Sequence, residues 1–393
     1  MKIEQTSTLI LCDSLPGAMT SCAQMIKDIE AELKRRGANV NVAGIGGEDH
    51  VKTHPMSVYS RRLKSPRLIV RAANEFFASV LLGLKIRVMI LRGKIAHPTL
   101  IIVYQPSLFL TLTAALIRLH PKRSQLLIVQ RDIVPDWLIA SSRVRPGVAT
   151  WALTQLKNFS LKNADWIGIE CAENLAYIPE RFRRKTFVLN NWRKFDADDS
   201  GEAGSSSAQD TTFIYGGRVG VAQGFDRFLQ AFCDIDLPAT RLKIYCDERG
   251  KQKLAAVALS EDQRRRVSVH DMVVETEFLK STRHAMFGVI TLAPDLKTHN
   301  IPGKLLAYLA AGIPVFVIAP RDSALRRVIS ELGCGVSCPA DDPDEILTTL
   351  QRILTDGGIQ RAQYKGNIEN ARKYFDVAVA ADAVERLLLE PVT

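Results

Sequence analysis

FIYGGRVGVAQG, residues 213–224, decides how this chain is read. Its apolar opening predicts a buried strand over 213–215. That strand runs into Gly216 and Gly217, residues that let a backbone come close to a ligand. Arg218 follows, with a planar fork suited to bidentate phosphate contacts. Gln223 and Gly224 then lead into a new helix, so the loop has the form of a pyrophosphate cradle. It is not a dinucleotide fingerprint, which needs G-x-G-x-x-G and an acidic residue about 20 positions on. A NAD-dependent dehydrogenase is therefore disfavoured.

A second stretch has the same chemistry. In HNIPGKLLAYLAAGIPV, residues 299–315, Pro302 and Gly303 open a helix and Lys304 sits in its first turn. Ala310 and Ala311 allow close packing, and Gly312 ends the helix before a buried strand. A lysine in a first turn opposes the helix macrodipole. A nucleotide pyrophosphate would offset that; the alternative is a solvent-facing lysine on an ordinary packing helix. His299, Asn300 and Pro302 flank the same position, and Asp247 follows the next strand, 242–245.

Outward from these motifs, strand and helix alternate through both halves, which predicts parallel sheets wound on both faces. In the first half, strands are expected at 8–12, 39–43, 100–103, 125–130 and 166–169, and helices at 22–36, 107–119 and 148–162. In the second, strands are expected at 242–245, 267–270, 288–292, 314–318 and 335–337. Helices are expected at 224–233, 251–259, 303–311 and 324–332, then from Asp344 and Ile359. Residues 195–212 are acidic and then Gly/Ser/Ala-rich, the composition of a linker. The expected organisation is a first domain over 1–194, a linker over 195–212, a second domain over 213–375 and a C-terminal helix over 376–393, set to pack back toward the first domain. Sheets of this kind bind ligands at the carboxyl ends of their strands.

Two loops of the first half fall at such ends. Ser14-Leu-Pro-Gly17 precedes a helix N-terminus, which offers free N–H groups to an anionic or hydroxyl-rich ligand, or is plain turn chemistry. Asp132, in QRDIVPDW directly after an apolar strand, accepts from a sugar hydroxyl or serves as a base on an acceptor hydroxyl. Its alternatives are a helix N-cap and an ion pair with Arg131.

Bulk composition adds constraints. At 393 residues the chain exceeds one comfortable core, which favours two α/β domains. Seven cysteines, with no zinc-ligand spacing, suit a reduced, cytosolic chain. The N-terminus reads as a buried strand and not a signal peptide, and the run from 76 to 91 is broken by Lys85 and Arg87, which argues against a spanning helix. Residues 1–194 carry 29 Lys and Arg against 14 Asp and Glu, and the remainder carries 23 against 28. The basic stretch Arg61, Arg62, Lys64, Arg67, Arg71, Lys85 and Arg87 is interleaved with Phe76, Phe77, Leu81 and Leu82. That pattern points to an anionic membrane surface and away from nucleic acid, the alternative being a solvated basic face.

The two C-terminal motifs and their spacing resemble the family-4-like retaining glycosyltransferases of the GT-B fold, in particular the branch of bacterial L-fucosamine and related surface-polysaccharide transferases. LPGAMTSCAQMIKDIEAELKRRGANVNV resembles its opening loop, helix and strand, RDIVPDW its "QD-x-x-P" segment, and YGGRVGVAQG and NIPGKLLAYLAAGIPV its two C-terminal motifs. The resemblance implies two Rossmann-like domains facing a cleft, with a nucleoside diphosphate sugar, UDP-linked, in the second. It assigns the donor to Gly216, Gly217, Arg218, Gln223, Asp247, His299, Asn300, Pro302 and Lys304. The acceptor, polyprenyl-diphosphate-linked or a saccharide, falls to Ser14, Gly17 and Asp132. Catalysis falls to Arg218, Lys304 and Asp132, with no metal ion and no cofactor, at the inner face of the plasma membrane. Two glutamates of the family pattern are replaced by His299 and Ala307, its lysine by Gln223, and its Gly-x-Gly by Cys246-Asp-Glu-Arg-Gly250. The missing carboxylates keep two alternatives open: a catalytically silent nucleotide- or partner-binding protein, and a sugar-nucleotide epimerase.

Overall fold

The computed structural model describes residues 6–18, 20–46, 56–59, 68–105, 107–140, 145, 147–196, 211–235, 237, 239–297, 299–355 and 361–389. The basic residues Arg61, Arg62, Lys64 and Arg67, and linker positions 197–210, lie outside them, as does the side chain of Arg71. The chain divides into two compact units, residues 1–194 with 377–393, and residues 195–376.

The first unit is a seven-stranded sheet of β1 (Ser7–Cys12), β2 (Asn39–Gly46), β3 (Val58–Tyr59), β4 (Leu100–Tyr104), β5 (Gln125–Gln130), β6 (Trp166–Ile169) and β7 (Thr186–Val188), ordered β3-β2-β1-β4-β5-β6-β7. Its pairs are parallel. Strands such as STLILC and LIIVY are buried along their whole length, as covered parallel strands must be. Helices Leu68–Leu91, Leu110–Arg118 and Val148–Asn163 contribute to the core on one face. On the other face, helix Ser21–Arg35 packs with helix Val377–Leu389. Arg36 holds that last helix, donating to Asp382 at 2.6 Å and to the carbonyl of Ala378 at 3.1 Å.

The second unit is a six-stranded parallel sheet of β8 (Thr211–Gly216), β9 (Thr240–Cys246), β10 (Val267–Asp271), β11 (Phe287–Thr291), β12 (Val315–Ala319) and β13 (Gly335–Pro339), ordered β10-β9-β8-β11-β12-β13. In both sheets the strand order reverses beside the first strand, between β1 and β4 and between β8 and β11. Open α/β sheets bind ligands at such switch points. Phe213, Phe228, Phe287 and Phe316 centre the second core.

The switch point of the second sheet is locked by Tyr308. Its ring occupies the space above Gly288, where a Cβ would lie 2.4–2.6 Å from ring atoms. Its hydroxyl accepts from the N–H of Gly216 at 3.0 Å and lies 3.2 Å from the carbonyls of Ile214 and Val289, donating to one at a time.

The sequence pattern misplaces some ends. β8 begins at Thr211, because the β-branched pair Thr211 and Thr212 extends the ladder opposite Thr240 and Arg241. The helix expected from 251 starts at Glu248, because Asp247 caps it by accepting from the N–H of Gly250 at 2.9 Å. The helix expected over 107–119 is Leu110–Arg118, and the one expected from Ile359 is described from Arg361. Helices Glu261–Arg266 and Glu275–Thr282 are short and polar and escape the apolar periodicity; the first carries a capping box of Ser260 and Gln263.

Two glycines should respond oppositely to a methyl group. Gly288→Ala drives a Cβ into the Tyr308 ring and should destabilise the second unit by about 1–3 kcal/mol or more. Gly366→Ala lies mid-helix with nothing within 4 Å of the new atom and should stabilise by up to about 1 kcal/mol. Denaturant unfolding followed by circular dichroism measures both; equal effects would contradict the packing described.

Candidate active site

Lys304 opens helix Lys304–Ala310, which follows β11 in the chain, and its side chain reaches across the switch point to the loop after β8. Nζ lies 3.9 Å from the centroid of the Tyr215 ring. A Cβ placed on Gly217 would be 3.6 Å from Nζ. The nitrogen is buried and, among the described residues, has no hydrogen-bond partner. A solvent-facing lysine is therefore not what the fold contains: part of the stem is exposed, and the charged end is inside. Desolvation pushes its pKa down from 10.5 to about 7. The Tyr215 ring face favours the ammonium form and opposes that shift in part.

The loop above this ammonium has backbone of the kind only glycine takes easily. Gly217 has φ near 126°. Gly216 abuts Phe278, whose ring would stand 2.4 Å from a Cβ. Tyr215, the last aromatic of β8, donates its hydroxyl to the carbonyl of Arg218 at 2.6 Å and so fixes the turn. The Arg218 guanidinium is exposed, and Gln223 ends the short 3-10 turn Val221–Gln223. A buried cation, an exposed cation and a strand-end turn free of Cβ atoms thus share one strand edge. That arrangement suits an anion with several oxygens.

The remaining donor candidates sit around the same sheet edge with different attachments. Asp247 spends one carboxylate oxygen on its capping bond. His299 Nδ1 accepts from the N–H of Ala324 at 3.4 Å, which sets it at the start of helix Ala324–Leu332. Asn300 and Pro302 are half-buried in the loop leading to Lys304. Tyr215, Phe278 and Tyr308 were not singled out by sequence reasoning. The available signal was an aromatic placed directly before Gly-Gly.

In the first unit, Ser14 and Thr20 share a hydroxyl hydrogen bond of 2.6 Å, and Thr20 caps helix Ser21–Arg35 by accepting from Ala23. Gly17 has φ near 97° with open space where a Cβ would go. The Asp132 carboxylate is close enough to this helix start to help raise the Cys22 thiol to about 11, behind the larger effect of burial and ahead of Asp13. Arg131 donates to the carbonyls of Leu189 at 3.0 Å and Asn190 at 3.2 Å, and lies against the rings of Trp192 and Tyr104. Asp136 pairs with the buried Lys157 at 2.7 Å. Ser14, Gly17 and Asp132 thus gather at the carboxyl edge of β1 and β5.

Residues 210–356 match the family described as glycosyl transferases group 1. A curated relative, the probable glycosyltransferase WbjE of Pseudomonas aeruginosa, is 22% identical over 349 residues, covering 84% of each chain. Among solved structures, sucrose-phosphate synthase from Thermosynechococcus elongatus aligns with TM-score 0.70 at 16% identity, covering 98% of this chain and 99% of that one. HepE of Anabaena, in complex with UDP and glucose, aligns at 0.63 and 14%, covering 98% and 100%. WaaG, a glycosyltransferase involved in lipopolysaccharide biosynthesis, aligns at 0.62 and 13%, covering 97% and 99%. The fold is GT-B, and the match to the group 1 glycosyl transferases falls within the second unit.

A buried, unpartnered ammonium costs stability, so Lys304→Met should stabilise the unliganded protein by a few kcal/mol. The folded pKa lies below the unfolded one. The gain is therefore largest below pH about 7, where the charge is buried, and fades as pH rises to about 10.5, where both states are neutral. Denaturant unfolding across that range measures it. A variant less stable than the wild type at every pH would give Lys304 a purely structural role.

Proposed function

We propose that this group 1 glycosyltransferase moves a sugar from a nucleoside diphosphate sugar, UDP-linked, to a lipid-linked or saccharide acceptor in surface-polysaccharide synthesis. The observation that carries the reading is the Lys304 ammonium, buried without a hydrogen-bond partner under the Gly216-Gly217 turn. A protein retains such a group at a cost, and a pyrophosphate repays it as charge-assisted hydrogen bonds. The UDP in the HepE complex supports the choice of nucleotide, and the lipopolysaccharide role of WaaG supports the pathway class.

In this reading the second unit holds the donor and the first unit the acceptor. The acceptor hydroxyl oxygen attacks the anomeric carbon on the face the leaving group departs from. The bond between that carbon and the β-phosphate oxygen breaks, and the hydroxyl proton passes to the departing phosphate, so configuration is retained. Arg218 and Lys304 stabilise the charge that grows on the pyrophosphate, a role a metal ion plays elsewhere. Asp132 orients an acceptor hydroxyl. His299 and Ala307, in place of two carboxylates, leave the ribose to backbone groups, Asp247 or His299. The chain acts at the cytoplasmic face of the membrane as a peripheral protein; among the described residues no helix is long and apolar enough to cross a membrane.

Arg218→Ala and Lys304→Ala should each lower transfer by about a hundred-fold or more, with circular dichroism unchanged. UDP should also bind with uptake of about one proton near pH 8, as the phosphates restore the Lys304 charge. Its affinity should fall by up to about ten-fold per pH unit above 7. Calorimetry in two buffers of different ionisation enthalpy reads both. Near-normal transfer by either variant would sink the assignment. Binding without turnover would favour a silent protein, and donor turnover without acceptor an epimerase.

A further inference from the structure

Helix Leu68–Leu91 is apolar on two opposite faces. Ala78, Leu82 and Ile86 bury one face in the core of the first unit. The opposite face carries Phe77, Leu81, Leu84, Val88 and Leu91, spaced alternately four and three residues apart, which is one straight stripe along a helix. All five are exposed, from 43% at Val88 to 68% at Leu91. Single exposed apolar side chains need no explanation, but a contiguous stripe about 20 Å long does. A helix with a second apolar face opposite its buried one calls for a cover on that face.

The charges beside the stripe say what the cover is. Lys85 lies on one flank and Arg87 on the other, with Arg92 and Lys94 just past the helix end. Lys85 donates to the carbonyl of Ser57 at 2.8 Å and Arg87 to that of Leu116 at 3.3 Å, which steadies both side chains without neutralising them. None of the four forms an ion pair among the described residues. The helix's one acid, Glu75, is turned toward Ser107, 3.4 Å away. Two copies joined along this seam would set cation against cation at the positions where paired helices place opposite charges. An anionic lipid surface satisfies both parts: acyl chains cover the stripe and phosphates meet its flanks.

We propose that this helix lies in the plane of a bilayer containing anionic lipid, with Phe77 to Leu91 below the headgroups and the flanking cations among them. Phe76, at the head of the stripe, packs edge-on against Phe109 in the loop after β4, with ring centroids 6.4 Å apart. The stripe thus begins at the strand-carboxyl edge that also carries Asp132. This deepens the reading of a lipid-linked acceptor, since the surface that holds such an acceptor is the one this edge adjoins. The docking itself does not depend on the transfer chemistry.

The test is flotation of the full chain with phosphatidylcholine vesicles, with and without phosphatidylglycerol. The wild type should float with the vesicles containing phosphatidylglycerol and be partly released by salt. Leu81→Ser with Leu84→Ser should weaken binding by about ten-fold or more per residue. Arg92→Gln with Lys94→Gln should weaken it and reduce the salt dependence. Both variants change exposed positions and should keep the thermal midpoint of the wild type. Failure of the wild type to float, or undiminished flotation of the leucine variant, would overturn the proposal. So would a wild-type dimer in solution that the leucine variant converts to monomer, which assigns the stripe to a second copy. A chain that floats but transfers no sugar would overturn the transfer reading alone.

Discussion

The ammonium of Lys304 rests on the face of the Tyr215 ring at 3.9 Å, out of water and without a hydrogen bond among the described residues, and the surrounding architecture is arranged to permit that. The lysine belongs to the helix that follows β11, and the tyrosine to β8. They meet because β8 and β11 are neighbours at the point where the strand order of the sheet reverses. Tyr308 holds the two strands together at that point through a hydroxyl shared among backbone groups of Gly216, Ile214 and Val289, and it fits only because residue 288 has no side chain. Gly216 in turn lies under Phe278. Gly216 and Gly288 are therefore space for rings.

The first unit uses the same winding with different chemistry. Its switch point presents hydroxyls and a carboxylate, Ser14, Thr20 and Asp132, and the nearby cation is committed. Arg131 is buried against the rings of Tyr104 and Trp192 and donates to two backbone carbonyls. A guanidinium used in that way braces the strand end. The two strand edges therefore differ in chemistry: one sets the Lys304 ammonium beside a Cβ-free turn, and the other presents neutral hydroxyls and an acid.

Much of the architecture was legible in the chain. Fully buried parallel strands read as unbroken apolar runs, such as residues 100–104 and 315–319, because helices cover both faces. Pro302, Gly303 and Gly312 marked one helix by backbone chemistry alone. The short polar helices Glu261–Arg266 and Glu275–Thr282 were not legible through periodicity, since segments of that length have too few apolar positions to define a face. The helix Leu68–Leu91 was hard to read for the opposite reason: with both faces apolar, its pattern has no phase.

Residue types and spacing by themselves determined that Arg218 lies in a strand-end loop and Lys304 in the first turn of a helix, because Gly-Gly and Pro-Gly dictate local backbone whatever surrounds them. They did not determine whether the lysine points to water or inward. That was decided by the tertiary structure, through the Tyr215 ring and the strand order that brings β8 beside β11, because burial and ring contacts depend on residues remote in sequence. Local rules give a side chain its chemistry, and only packing sets its dielectric and hence its charge.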